Sequence, residues 1–297
     1  MKHWQERQEY EMSNEVLQAS ESTDLVASRV GAQSRLISIA RSIIRGLTAL
    51  VCVCLVWEAI RRGFHFSSIT MPSAWSIWQK FFSRDSQGEL FYIFLAKNIL
   101  VTGRGAVFGL LLGAISGVTI GVLISTNRLF RRALLPLVIS AQTVPIVAIA
   151  PAVVLFFGTG TLSKTVVAGF LTFFPAAVTT ARGIQSVPVD SVNLMRTYNA
   201  SWWTVLTTVK IPFALPLIFV GLETSAAFSV VGAIVAELPF GSKNGLGVVI
   251  LASWQFYTIA PQSLYCTVIG TCLLGALIVA AIRIAARFSV GSRQHEF

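Results

Sequence analysis

The chain has 297 residues, 54% of them hydrophobic and only 12% charged, with a formal net charge of +10. Soluble domains carry roughly 25% charged residues, so a water-exposed fold of this composition would leave large apolar patches uncovered, and lipid is the fitting solvent. The basic excess forms no stripe among stacking aromatics but clusters beside apolar runs, which argues against nucleic acid as a partner and suits the edges of membrane spans.

Residues 1–42 are rich in Glu, Gln, Ser and Arg, show little periodicity, and lack an apolar core behind a basic start. They read as a mostly disordered or loosely helical cytoplasmic tail rather than a cleavable signal. A spanning helix needs about 20 apolar residues to cross about 30 Å of hydrocarbon. Six candidates follow: 43–60, 105–125 lengthened at its front by "FLAKNILVTGR", 133–157, 162–181, 215–238 and 264–286. They define an all-α membrane domain over 43–290, with 291–297 as a short C-terminal tail on the same side as the N-terminus. More Lys and Arg fall on the side of the N-terminal tail than on the other, which places that tail in the cytoplasm, although Arg61 and Arg62 oppose it.

Between the first two spans, "TMPSAWSIWQKFF" sets Trp75, Trp78, Phe81 and Phe82 at steps of three and four. That pattern predicts an amphipathic helix, either lying in the headgroup zone or packed as a lid on the bundle. In the second span Gly109, Gly113, Gly117 and Gly121 recur at every fourth residue, the spacing that lets two helices approach closely in lipid. The third span carries Pro136, Pro145 and Pro151. Such breaks survive in a membrane where protein or a water-lined cavity satisfies the freed carbonyls. Gln142, Thr143 and Pro145, at the central break, are therefore candidates to border a translocation path.

Two carboxylates fall in the fifth span. Glu223 lies deep and is a further path candidate, with a salt bridge as the plainer alternative, whereas Glu237 beside Pro239 is expected at the outer interface, where it costs little. The cysteines at 52, 54, 266 and 272 read as buried hydrophobes, and the three histidines lie outside the spans, so no metal site is expected. "FFGTGTLSK" has the glycines and Lys164 of a phosphate loop but follows a membrane helix on the outer side, not a strand, and is rejected as one.

"VDSVNLMRTYNASWWTVLTTVKIPFALP", residues 189–216, is too polar for lipid yet has apolar residues at helical intervals. It predicts two short helices at the cytoplasmic surface. The first is capped by Asp190 or Ser191 with Val192, Met195 and Tyr198 on one face, and the second runs from Trp202 through Val205, Leu206 and Val209. Asn199 supplies a left-handed turn between them, and Pro212 and Pro216 mark the return to the bilayer. This hairpin is either a handle for a soluble partner or a simple interfacial anchor.

The segment fits the spacing E-A-A-x3-G-x9-I-x-L-P of the EAA loop, with Asn193, Leu194, Met195, Asn199, Val209, Ile211 and Pro212 at those positions. Only the proline is identical, and the glutamate is lost. "QTVPIVAIAPAVVLFFGTGTLSKTVVAGFLTFFPAAVTTARGIQSVP", "MPSAWSIWQKF" and "VVGAIVAELPFGSKNGLGVVI" extend the likeness over about residues 45–288. The chain thus resembles permease subunits of binding-protein-dependent ABC importers of the nitrate/sulfonate/taurine and riboflavin or pyrimidine type. The resemblance implies a six-helix permease fold with a coupling loop at about 188–212, pairing with a second copy as a homodimer. Two cytoplasmic ATPase subunits would dock on the loops and a periplasmic or lipid-anchored binding protein would deliver solute, in a bacterial inner membrane. The chain itself would be no enzyme and bind no cofactor, since ATP and magnesium belong to the ATPase. By the same resemblance Asn193, Met195, Arg196, Asn199, Trp202, Leu206 and Pro212 are candidates for ATPase coupling. "ELPFGSKNGLG" and a path with few fixed cations point to a small flat heterocycle, riboflavin or a thiamine-precursor pyrimidine. The alternatives are nitrate, sulfonate or taurine, and, beyond this family, an ion-coupled secondary transporter, for which only Glu223 offers a mid-membrane coupling group.

Overall fold

The computed structural model describes residues 44–46, 48–49, 51–84, 88–238 and 242–290. The tails at 1–42 and 291–297, and Pro239, lie outside the described residues, and the expected span 43–60 lies partly outside them. The chain divides into two compact units, residues 1–66 and 67–297. In the first, α1 (51–63) ends on a small charge cluster in which Glu58 accepts hydrogen bonds from Arg61, at 2.6 and 3.1 Å, and from Arg62, at 2.9 Å.

The second unit is helical: α2 (Ala74–Phe81), α3 (Phe91–Thr126), α4 (Arg128–Ala141), α5 (Ile146–Phe157), α6 (Thr161–Gln185), α7 (Val189–Thr197), α8 (Trp202–Val205), α9 (Ile211–Glu237), α10 (Leu246–Gln255) and α11 (Pro261–Val290). Among the described residues four helices are long and apolar enough to cross a membrane: α3, α6, the continuous run Trp202–Glu237 and α11. The expected span 133–157 is not one straight helix. Its parts Leu129–Ala141 and Ile146–Phe157 meet at 91°. Pro136 and Pro151 are accommodated inside α4 and α5, and the chain breaks only at 142–145, where Pro145 opens α5.

The core of the bundle is α6, held between α3 and α9. α3 and α6 run parallel, and their contact is a ladder at every fourth position, glycine on α3 against Lys164 and then small residues on α6. Gly105 faces Lys164, Gly109 faces Ala168, Gly113 faces Thr172, Gly117 faces Ala176 and Gly121 faces Thr180. A methyl group at position 113 would overlap Thr172 Oγ1 and lie 2.5 Å from the carbonyl oxygen of Gly169. Backbone approach of this kind replaces the hydrophobic drive that lipid does not supply. The seam also carries polar bonds: Thr172 Oγ1 donates to the Gly109 carbonyl at 3.1 Å, and Ser225 Oγ of α9 donates to the Thr172 carbonyl at 2.8 Å. α9 runs antiparallel to α6, with Gly232 against Ala168 and Gly221 against Thr179.

α2 is capped by Ser73, whose hydroxyl accepts from the Ser76 amide at 3.2 Å. One of its faces packs on the bundle, as expected of a lid. Ile77 and Phe81 pack on Phe91 and Cys266, while Trp75, Trp78 and Phe82 face outward. Of the cysteines only Cys266 is buried; Cys52, Cys54 and Cys272 lie on exposed helix faces, contrary to their reading as buried hydrophobes.

Gly113→Ala should lower the stability of the purified protein by about 1–3 kcal/mol, the usual cost of overpacking, read as a fall in its thermal aggregation temperature. Gly275→Ala on α11, where an added methyl would meet nothing within 4 Å, should leave it unchanged.

Candidate functional site

One end of the bundle carries a projecting turn. α6 ends at Gln185, and α7 begins at Val189 directly after Pro188, with no side-chain cap. The helix therefore starts before Asp190 and Ser191, and neither caps it as the sequence suggested. Asp190 in its first turn and Arg196 in its last complement the helix dipole instead. Asn199 adopts φ 54°, the left-handed turn expected of it. The Asn199 amide donates to the Arg196 carbonyl at 2.9 Å and the Ala200 amide to that of Met195 at 3.1 Å. Ser201 then caps α8, accepting from the Thr204 amide at 3.2 Å.

The second half of the expected hairpin is not a separate helix. α8 passes through a single π turn, Leu206–Lys210, straight into α9. Pro212 explains the π turn: it lacks an amide and its ring crowds the carbonyl four residues back, at Thr208, so the ladder slips by one residue. Val205 and Leu206 are buried and root the turn, whereas α7 buries no residue. The outer face is strongly apolar for an exposed surface, with Leu194, Tyr198, Trp202 and Trp203 all exposed, Tyr198 at 77%. The rings of Trp202 and Trp203 meet edge to face at 4.6 Å. Of the coupling candidates, Asn193, Arg196, Asn199 and Trp202 are exposed around this turn, Met195 is half-buried, Leu206 is inside, and Pro212 is exposed at the start of α9.

The path candidates fall in two places. Gln142, Thr143 and Pro145 are exposed at the break between α4 and α5, where Thr143 Oγ1 donates to the Ser140 carbonyl at 2.7 Å. Glu223 accepts from Arg283 Nε of α11 at 2.9 Å, the salt bridge weighed for it. Arg283 remains 64% exposed on an otherwise apolar helix. Among the described residues no hydrogen bond or ion pair joins Glu223 to the break.

The more buried carboxylate is Glu237, the last residue of α9, which is enclosed by protein. Its side chain is 0% exposed and pairs at 2.8 Å with Lys164, itself 4% exposed and not the outer-loop cation it resembled in sequence. Thr102 Oγ1 of α3 lies 2.8 and 3.0 Å from the two Glu237 oxygens and accepts from the Leu246 amide at 2.8 Å. The Gly247 amide donates to Glu237 Oε2 at 2.7 Å, the Gly245 amide to Asn98 Oδ1 at 2.7 Å, and Lys164 Nζ to the Asn244 carbonyl at 3.2 Å. Every charge in the cluster is thus matched inside protein, the condition under which buried ions persist. α10, to which sequence reading assigned no element, starts at this cluster and walls a cavity of about 250 Å³ lined by Phe91, Phe94, Asn98, Val249, Ser253 and Phe256. Among the described residues no three His, Cys, Asp or Glu side chains gather as metal ligands would.

Asn199→Gly should preserve the turn, while Asn199→Val should open it at a cost of about 1–2 kcal/mol, the left-handed penalty of a residue with a Cβ. The check is the rate of tryptic cleavage after Arg196, which should rise only in the valine variant.

A family model for the binding-protein-dependent transport system inner membrane component matches residues 109–291. The riboflavin transport system permease protein RibX of Chloroflexus aurantiacus is 30% identical over 69% of this chain and 75% of its own length. The putative aliphatic sulfonates transport permease protein SsuC of Bacillus subtilis is 30% identical over 71% and 75%. Among solved structures, an inward-facing form of the MetNI methionine ABC transporter aligns with TM-score 0.56 over 68% of this chain and 98% of that one, at 17% identity, a likeness of fold. The chain belongs to the binding-protein-dependent transport system inner membrane component family, as the membrane-embedded, non-enzymatic permease of an ABC importer whose ATP is hydrolysed on a separate subunit.

Proposed function

We propose that the turn between α7 and α8 is the surface through which the ATPase drives this permease, and that residues 43–290 act as the permease domain. The observation that carries this reading is the apolar outer face of the turn. Leu194, Tyr198, Trp202 and Trp203 stay exposed while Val205 and Leu206 anchor the same segment in the bundle. An exposed aromatic cluster on a firmly rooted projection is what a soluble partner would grip. Asn193, Met195, Arg196 and Asn199 would shape that contact. Pro212 would act through the π turn, and Leu206 by holding the turn to the bundle.

The reading extends to an assembly of two copies of this chain with two cytoplasmic ATPase subunits, which hold ATP and magnesium, and a periplasmic or lipid-anchored solute-binding protein. It sits in a bacterial inner membrane with the N-terminus cytoplasmic. The excess of Lys and Arg on the side of the N-terminal tail supports that orientation, against Arg61 and Arg62. The solute path would run between the copies, bordered by Gln142, Thr143 and Pro145 at the 91° break and by Glu223 with Arg283. A charged pair this exposed on apolar helices requires water or a protein partner beside it, since lipid would cost roughly 2.5–3.5 kcal/mol per charge.

For the solute, a small flat heterocycle of the riboflavin or pyrimidine kind is favoured by the likeness to a riboflavin permease. The equal identity to a sulfonate permease supports the second reading, an importer of sulfonates, taurine or nitrate. Uptake by cells carrying the full importer, competed by riboflavin or by taurine, separates the two.

Tyr198→Asp combined with Trp203→Asp should remove the ATPase from affinity-purified permease, reducing co-purification at least about tenfold, as expected for loss of a central aromatic anchor. Membrane insertion should be retained. Leu206→Asp should instead fail to accumulate, because it buries a charge. Undiminished ATPase in the double variant would remove the docking assignment.

A further inference from the structure

The buried Lys164–Glu237 pair has no part in the function proposed above. If it served only to staple α3, α6 and α9, an apolar trio of the same shape would do as well. Its bonds run elsewhere. The amides of Gly245, Leu246 and Gly247 are held by Asn98, Thr102 and Glu237, and the Asn244 carbonyl by Lys164. These residues open α10, whose N-cap Gly245 offers no side chain of its own. Gly245 sits at φ 135°, where a Cβ would collide with the Glu237 carboxylate. The first turn of α10 is therefore seated on side chains from α3, α6 and α9. Gly105, the first rung of the ladder, leaves the room through which the Lys164 stem reaches Glu237.

Glu237 is also the last residue of the continuous helix that begins at Trp202 in the projecting turn. Its 36 residues span about 54 Å at 1.5 Å per residue. The element rooted beneath the turn thus ends on the anchor of α10, at the opposite end of the bundle. We infer that Lys164 and Glu237 are positioning residues for transport: through them, movement of the α8–α9 rod reaches α10 and changes how tightly α10 closes over the cavity bearing Ser253. The inference rests on the proposed docking of the ATPase at the turn.

The test uses the complete importer in nanodiscs, with Ser253→Cys as a reporter labelled by a water-soluble maleimide. Peptide mass spectrometry reads that site, so the four native cysteines stay in place. Labelling should differ at least about threefold between the nucleotide-free and the ATP–vanadate-trapped complex. Glu237→Gln and Thr102→Val should each raise the resting rate about tenfold, the scale of one hydrogen bond to a charged group. Both should erase the nucleotide dependence, with the ATPase still bound, and Thr102→Ser should restore both. A reporter that labels alike in every background with the ATPase bound would overturn the inference while leaving the docking surface standing. Loss of the ATPase in Tyr198→Asp/Trp203→Asp tests docking separately. Should Glu237→Gln fail to accumulate, Thr102→Val decides alone, since it keeps the ion pair and the side-chain shape; unchanged labelling there overturns the inference.

Discussion

Helices inside lipid gain little by hiding apolar side chains from one another, because the surrounding chains are as apolar as they are. What holds this bundle together is backbone proximity along α3 and α6, where two rows of small residues at four-residue steps bring carbonyls and hydroxyls within bonding reach. The other features of the fold build on that seam. α9 closes on its far side through Gly221, Ser225 and Gly232, which leaves α6 enclosed along most of its length. Thr180, at the last rung, keeps a buried hydroxyl without a hydrogen-bond partner, so close approach has been retained there at the expense of polar satisfaction.

The same seam accommodates charge. A lysine can be buried only if its stem has room and its ammonium has partners. Gly105 provides the first, and Glu237 with the Asn244 carbonyl the second. The carboxylate in turn needs more than one donor, and the backbone of α10 supplies what the lysine does not. Stability, helix placement and the geometry of the cavity are in this way tied to one cluster.

Much of this was legible in the residues. The glycine spacing announced a tight helix pair, Asn199 announced a left-handed turn, and Pro145, the central of three prolines in one expected span, announced a break. The resemblance in the 189–216 segment and its flanks named the family. What stayed hidden involves partners distant along the chain. Lys164 and Glu237 stand 73 residues apart (237 − 164), and no local pattern links them, so one read as an outer-loop cation and the other as an interfacial acid. α10 is too short to register as a span, and its capping groups come from other helices. The continuity of α8 with α9 was masked by Pro212, a residue that usually ends or begins helices and here is absorbed by a slipped turn.

That slipped turn gives the molecule a built-in angular offset. Each residue of an α-helix advances the chain by about 100° around its axis. The surplus residue within Leu206–Lys210 therefore sets the azimuth at which the tryptophan pair faces outward relative to every side chain from Ile211 onward. A chain without the surplus would present the same residues at a different compass bearing, so a partner docking as proposed would have to match this permease in rotation as well as in contact chemistry.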